Sequence, residues 1–206
     1  RLTFTCFVRS FAHPPLPLLY LFYRAHRAIL PHPASPSPSL PLAGHKKPQW
    51  GGYSWDKHLF PNPADAIKGY LKEHEGLITL ANLHDNDGVT QGEDRHADMA
   101  KALGLPAGTG DIPFQICSNA SYAAALEDKV LAPLEADGLD YWWIDWQQGG
   151  KQGGCAGRKQ NPTIWTNKIR ATDHVRRGSN KRGLVLARRG GLGTHRYQVG
   201  FSGDVK

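Results

Sequence analysis

Two aspartates in this sequence stand where a carboxylate can react. Tyr141-Trp-Trp-Ile-Asp145-Trp-Gln-Gln-Gly149 sets Asp145 directly after a run of aromatics, and Val199-Gly-Phe-Ser-Gly-Asp204 sets Asp204 after a short apolar run and a glycine. Burying an unpaired charge is costly, so a carboxylate that follows an apolar strand is useful only at the strand's open end. Two carboxyl groups facing each other across a sugar-sized gap suit glycoside hydrolysis, one stabilising the cationic sugar carbon and the other delivering a proton. About 5–5.5 Å apart, such a pair retains anomeric configuration through a covalent intermediate, whereas a wider gap admits water and inverts it. Trp142, Trp143 and Trp146 fit the same chemistry, because the apolar faces of sugar rings stack on aromatic rings. Taken singly, each aspartate is equally compatible with a helix cap, a common role for Asp after a strand.

In a parallel barrel or doubly wound sheet, reactive groups collect at the carboxyl ends of the strands, so the elements around the two aspartates decide their use. From Trp50 onward, helical and extended patterns alternate. Asn62-Pro63 offers an N-cap and an N1 proline, Ile67, Tyr70 and Leu71 form one apolar face, and Gly76 stops the helix. Leu77 to Leu83 reads as a strand and Glu93 to Leu103 as a helix. A third helix runs from about Ser121 to Ala136, bent or shortened by Pro133 and stopped by Gly138. Leu139 to Trp146 is the strand that carries Asp145. Asn161-Pro162 opens a helix through Trp165, Ile169 and Val175 to Gly178, and Leu184 to Ala187 and Val199 to Ser202 are short strands. Strands separated by helices imply parallel pairing, because parallel neighbours need a long crossover. The fold class is therefore α/β.

The N-terminal part has a different character. Residues 1–47 are crowded with Pro, Ser, Arg and His, which prevents regular helix and interrupts strand pairing, so this extension is expected to be disordered; residues 48–206 form the folded domain. An acid-free segment with Arg and Ser also fits a transit peptide, and Leu16 to Tyr23 a weak signal-peptide core, which leaves the compartment open. The formal charge of +7 invites a nucleic-acid reading. Six Lys/Arg lie in residues 1–55 without one acid, however, leaving nineteen basic against eighteen acidic residues beyond, so the folded part is nearly neutral and no nucleic-acid partner is expected. Cys6, Cys117 and Cys155, odd in number and widely spaced, fit neither a disulfide framework nor a zinc site and read as ordinary small residues. The longest apolar stretch, Pro15 to Leu30, is broken by Pro17, Arg24, His26 and Arg27, so no membrane span is expected.

Residues 50–205 resemble glycoside hydrolase family 31. Two segments carry the resemblance: Trp143-Ile-Asp145-Trp-Gln-Gln-Gly149, and Leu186-Ala-Arg188-Arg-Gly-Gly-Leu-Gly-Thr-His195-Arg196-Tyr197 continuing to Phe201-Ser-Gly-Asp204. Trp50-Gly-Gly-Tyr-Ser-Trp-Asp-Lys-His-Leu-Phe-Pro and Leu80-Ala-Asn-Leu-His-Asp also look like this family. The resemblance implies a partial (β/α)8 TIM barrel, with Asp145 as nucleophile and Asp204 as general acid/base. It also implies sugar contacts from Arg188, Arg196, Trp143 and Phe201, with Asn82 and His84 lining the pocket from an earlier strand. Phe201 stands where the family usually has Trp, so an aromatic wall survives without the indole donor; Ala187 stands where Ser or Thr is common, and Arg189 where an aromatic is. The family's substrate-gripping aspartate belongs upstream of the Trp50 segment, where this chain has no acid, and its substrate-binding histidine belongs downstream of the acid/base.

About four barrel strands can be counted, whereas a closed barrel needs eight in roughly 250 residues. The expected function is an α-glucosidase-like retaining hydrolase acting on an α-linked oligosaccharide or glucoside, with no cofactor and no metal. The alternative is an inactive, truncated sugar-binding remnant, since open edges and half a pocket predict weak activity and association. Other signals are weaker. Gly149 to Gly157 is phosphate-loop-like, but Gln152 follows Lys151 where Ser or Thr is needed, so a flexible active-site loop is the better reading. His84-Asp-Asn-Asp87 lacks calcium-loop spacing and reads as a turn with sugar-facing polar groups. Lys168, Arg170, Arg176, Arg177, Lys181 and Arg182 read as a solvated helix face, and Asn119-Ala-Ser121 as a formal glycosylation triplet that matters only in a secreted chain.

Overall fold

The computed structural model describes residues 4–8 (as backbone), 51–57, 59–145, 155, 161–179, 183–188, 193–197 and 199–201. Five strands form one sheet in the order β1-β2-β3-β4-β5: Phe4–Val8, Leu77–Leu83, Tyr141–Ile144, Val185–Ala187 and Val199–Gly200. Strands β2 to β5 pair in parallel and follow chain order. Winding that always steps the same way is that of a barrel, since a doubly wound sheet reverses direction at its switch point.

Three helical elements supply most of the outer layer. The first, α1, spans Asp65–His74 and is wound as a π-helix, with the Glu75 N–H reaching the Tyr70 carbonyl at 3.0 Å. This wider winding keeps Ile67 and Leu71 on the sheet side but turns Tyr70 out, where it is exposed and stacks on His74 at 5.3 Å. The expected apolar face is thus two residues rather than three. A short helix, α2, covers His96–Ala102, later than its expected start: residues 91–95 form turns and a bend, and the buried Glu93 carboxylate accepts the Ser54 hydroxyl at 2.6 Å. The run α3 passes continuously through Ala120–Ala125, Leu126–Leu131 and Ala132–Ala136; Pro133, which has no N–H to donate, follows directly on the π-wound middle segment, where the ordinary helical bonding is already interrupted.

The remaining helix, α4, spans Pro162–Arg176, capped by Asn161, whose side chain accepts from the Thr163 N–H at 2.9 Å. Its most deeply buried stripe is Thr163, Thr166, Asn167, Arg170 and Ala171, at helical-face spacing, while Trp165 and Ile169 are only partly buried and Val175 is 64% exposed. A polar stripe turned toward the sheet is the reverse of the expected apolar face.

Side-chain direction along the strands divides the sheet into two faces. Ala81, Leu83 and Trp142 join the main core with Ile67, Leu71, Leu131 and Leu134 of the helices. On this same helix-facing side, Ile144, Val185 and Ala187 pack with Ala171 of α4. Trp142, expected as a sugar platform, is instead a core residue whose indole N–H donates to Glu135 at 2.9 Å.

Two findings differ from the sequence expectation in the covalent and edge structure. Residues 4–8 lie inside the extension expected to lack regular structure, yet they form β1, antiparallel to β2 in the register Phe4↔Ala81 to Val8↔Leu77. The segment Phe-Thr-Cys-Phe-Val is rich in β-formers, and β2 has an edge to pair. Cys117 and Cys155 form a disulfide with a Cα–Cα distance of 5.0 Å, so they are not independent small residues. Closing a chain separation of 38 residues removes unfolded-state entropy worth about 4 kcal/mol in the loop-closure description.

Candidate active site

The parallel register sets the site. Asn82 pairs with Trp143, Trp143 with Leu186, and Leu186 with Val199, all on the face opposite the helices. Two residues further along each strand come His84, Asp145, Arg188 and Phe201, which period-2 alternation puts on the same face. Backbone bonds extend the ladder to this second row: Asp145 N–H to Leu83 C=O at 2.9 Å, Arg188 N–H to Ile144 C=O at 3.3 Å and Phe201 N–H to Ala187 C=O at 3.0 Å. Six residues singled out from sequence therefore occupy two adjacent rows at the carboxyl ends of four neighbouring strands.

Contacts within the rows are close. The Arg188 guanidinium donates from Nε to Asp145 Oδ1 and from Nη2 to Oδ2, the latter at 3.3 Å, so both carboxylate oxygens are engaged. His84 Nε2 lies 3.6 Å from Asp145 Oδ2. The Trp143 ring of the first row and the Phe201 ring of the second meet at 4.7 Å between centroids, and the Arg188 guanidinium sits 5.0 Å from the Phe201 ring and 5.9 Å from that of Trp143. Asn82 donates its amide to the Trp143 carbonyl at 3.4 Å, tying β2 to β3 below the tips. Asp145 is 8% exposed, a charge balanced by the guanidinium rather than by water.

The loop at residues 51–56 closes over the β2 tip. The His84 N–H donates to the Gly51 carbonyl at 3.0 Å, and Gly52 has φ of 81° with its Cα so close to the strand that a Cβ there would stand 2.5 Å from the Asn82 carbonyl oxygen. Only glycine fits both conditions. Burial raises the Glu93 carboxyl above its ordinary 4.5, although the Ser54 hydroxyl and a Tyr53 backbone bond pull it down.

Behind the rows lies a buried ionic cluster that sequence reading missed. Arg170 of α4 pairs with Asp85 at 2.9 Å and with Glu127 of α3, and all three side chains are at most 2% exposed. The Tyr53 hydroxyl donates to Asp85. Burial first, and then the negative charge of Asp85, push the Tyr53 and Tyr122 phenols above their ordinary value of 10, so both stay protonated, Tyr53 as the donor to Asp85. Asp85 thus faces the interior, not a sugar, although the turn expected at Asp85–Asp87 is present. Nor is the basic stretch a uniformly solvated face: Arg170 is internal, and Arg176 and Arg177 pair with Asp128 at 2.5 Å and Glu135 at 2.7 Å. One signal was available, since Thr163, Thr166, Asn167 and Arg170 recur at the spacing of a helix face.

Arg196 is exposed on the short turn Thr194–Arg196 and makes no side-chain ion pair with the described residues. Asp204, Trp146 and most of the 149–157 loop lie outside the described residues. Among the described residues no helix is long and apolar enough to cross a membrane.

Residues 43–206 match the model of the glycosyl hydrolases family 31 TIM-barrel domain. The chain belongs to that family. No curated protein matches the chain. Family 31 membership makes this a glycoside hydrolase domain, with a glycoside as its substrate class, and accounts for both the parallel singly wound strands and the polar row at their ends.

Proposed function

We infer that this family 31 domain acts as a retaining α-glucosidase-like hydrolase. The observation that carries the reading is the row of His84, Asp145, Arg188 and Phe201 on one face at adjacent strand ends, with Asp145 held through both oxygens. Asp145 attacks the anomeric carbon as the C1–O bond breaks, and Asp204 gives its proton to the leaving oxygen. Asp204 then takes a proton from water, whose oxygen attacks C1 and releases Asp145; two inversions leave the configuration unchanged. Arg188, bonded to both oxygens, and His84, 3.6 Å from Oδ2, hold the Asp145 carboxylate in one orientation, as a nucleophile requires. Trp143 and Phe201 supply the aromatic wall for the sugar ring.

The test is hydrolysis of an aryl α-glucoside by the full chain, with the anomer of the first product read by NMR. Release of the phenol with an α-product, lost in both Asp145→Ala and Asp204→Ala, is the expected result. Binding of an α-glucoside without turnover would favour the sugar-binding remnant, and a β-product would remove the retaining mechanism.

A further inference from the structure

Asn119-Ala120-Ser121 is the one Asn-X-Ser/Thr triplet of the sequence in which X is not proline; Asn161-Pro162-Thr163 has the hydroxyl but the excluded residue. Such a triplet means little by itself, because it is modified only in a chain that passes through a secretory lumen. The disulfide supplies an independent observation. Cys117, two residues before Asn119, is bonded to Cys155, and both cysteines are buried. Disulfides form and persist in oxidising compartments and are rare in the reducing cytosol. In eukaryotic cells the lumen that oxidises cysteines is also the one that glycosylates asparagine.

We propose that Asn119 is an N-glycosylation site and that the chain matures through an oxidising secretory lumen. Its surroundings are compatible with a glycan: Ser118, Ala120 and Ser121 are exposed, and Asn119 itself is half-buried at the start of α3. Asn119 Oδ1 accepts from the Tyr122 N–H at 3.0 Å, capping the helix, and Nδ2 donates to Gln115 Oε1 at 3.3 Å. In the transfer, the C1–O bond between an oligosaccharide and its polyprenyl diphosphate carrier breaks and a C1–Nδ2 bond forms. The diphosphate departs with the electron pair, and one Nδ2 proton is lost to a base. The second Nδ2 hydrogen remains for Gln115, and Oδ1 is untouched, so the cap survives modification. The proposal is independent of the hydrolase reading, because its readout involves no substrate.

Trypsin cleavage after Lys101, Lys129, Lys151 and Arg158 leaves peptides 102–129 and 152–158 joined through Cys117–Cys155, so a single species reports both the bond and Asn119. The measurement is a non-reducing peptide map by mass spectrometry. It is made on protein from the cells that produce it and on the full chain carried by a cleavable leader into a eukaryotic secretory host. The expected result is the linked pair carrying a glycan that peptide N-glycosidase removes, leaving Asp at position 119. The glycan is lost completely in Asn119→Gln and Ser121→Ala and retained in Ser121→Thr; Ser121→Ala keeps the Asn119 cap, so its loss is not a folding effect. A linked pair with unmodified Asn119, or two separate peptides with free thiols, would overturn the proposal.

Discussion

Arg188 holds both oxygens of Asp145 while its guanidinium lies over Phe201, so charge pairing and aromatic support meet in one side chain. A lysine keeps the charge but cannot present two donors in a fixed plane, and a methionine leaves a nearly buried carboxylate without its cation. Arg188→Met is therefore expected to lower kcat/KM on an aryl α-glucoside by about a hundredfold, or about 2.7 kcal/mol, with Arg188→Lys intermediate. Steady-state kinetics decide it: an Arg188→Met enzyme as active as the parent would make the ion pair incidental to the chemistry. Phe201 makes a ring contact with Trp143 but has no N–H to offer a sugar hydroxyl.

Among the elements, α4 has the least ordinary task. Its sheet-facing stripe carries Arg170 into a space shared with Asp85 of the β2 tip and Glu127 of α3, so the helix that follows the Asp145 strand braces the strand before it. Removing one partner of a buried ionic cluster leaves the others uncompensated, which typically costs about 3–5 kcal/mol. Arg170→Met should lower the free energy of unfolding in urea by that amount, and Arg170→Met combined with Glu127→Gln should recover part of it by removing one stranded charge. A midpoint unchanged in the single variant would contradict a desolvated cluster. The element boundaries themselves were largely legible: Leu77–Leu83 is the strand that its apolar, β-branched run implies, and Asn161-Pro162 starts α4 as a cap and N1 proline should. The contents of the buried face were not legible, because periodicity weights apolar residues, and here a polar stripe lies deepest.

For the molecule as a whole, β1 covers the outer edge of β2 with an antiparallel strand, the opposite sense to every other pairing in the sheet. An uncovered edge presents unpaired N–H and C=O groups to any other chain. Deleting residues 1–8 should therefore give concentration-dependent association by light scattering under conditions where the full chain scatters as a smaller species. Identical scattering from both chains would mean that β1 does not guard the edge.

Residue order alone determined which side chains come to the strand ends. Apolar runs and helix stops assign Asp145 and the tryptophan beside it, Trp143, to a strand end, because these signals act within a few residues along the chain, whereas Asn82, His84, Arg188 and Phe201 are assigned to the pocket by the resemblance to family 31. Only the tertiary structure decided which of those tips share a row, that Arg170 reaches Asp85 across 85 positions, that Cys117 finds Cys155, and that Phe4–Val8 pairs with β2. Those outcomes depend on how successive crossovers stack and which edges remain open, and no local pattern of residues encodes either.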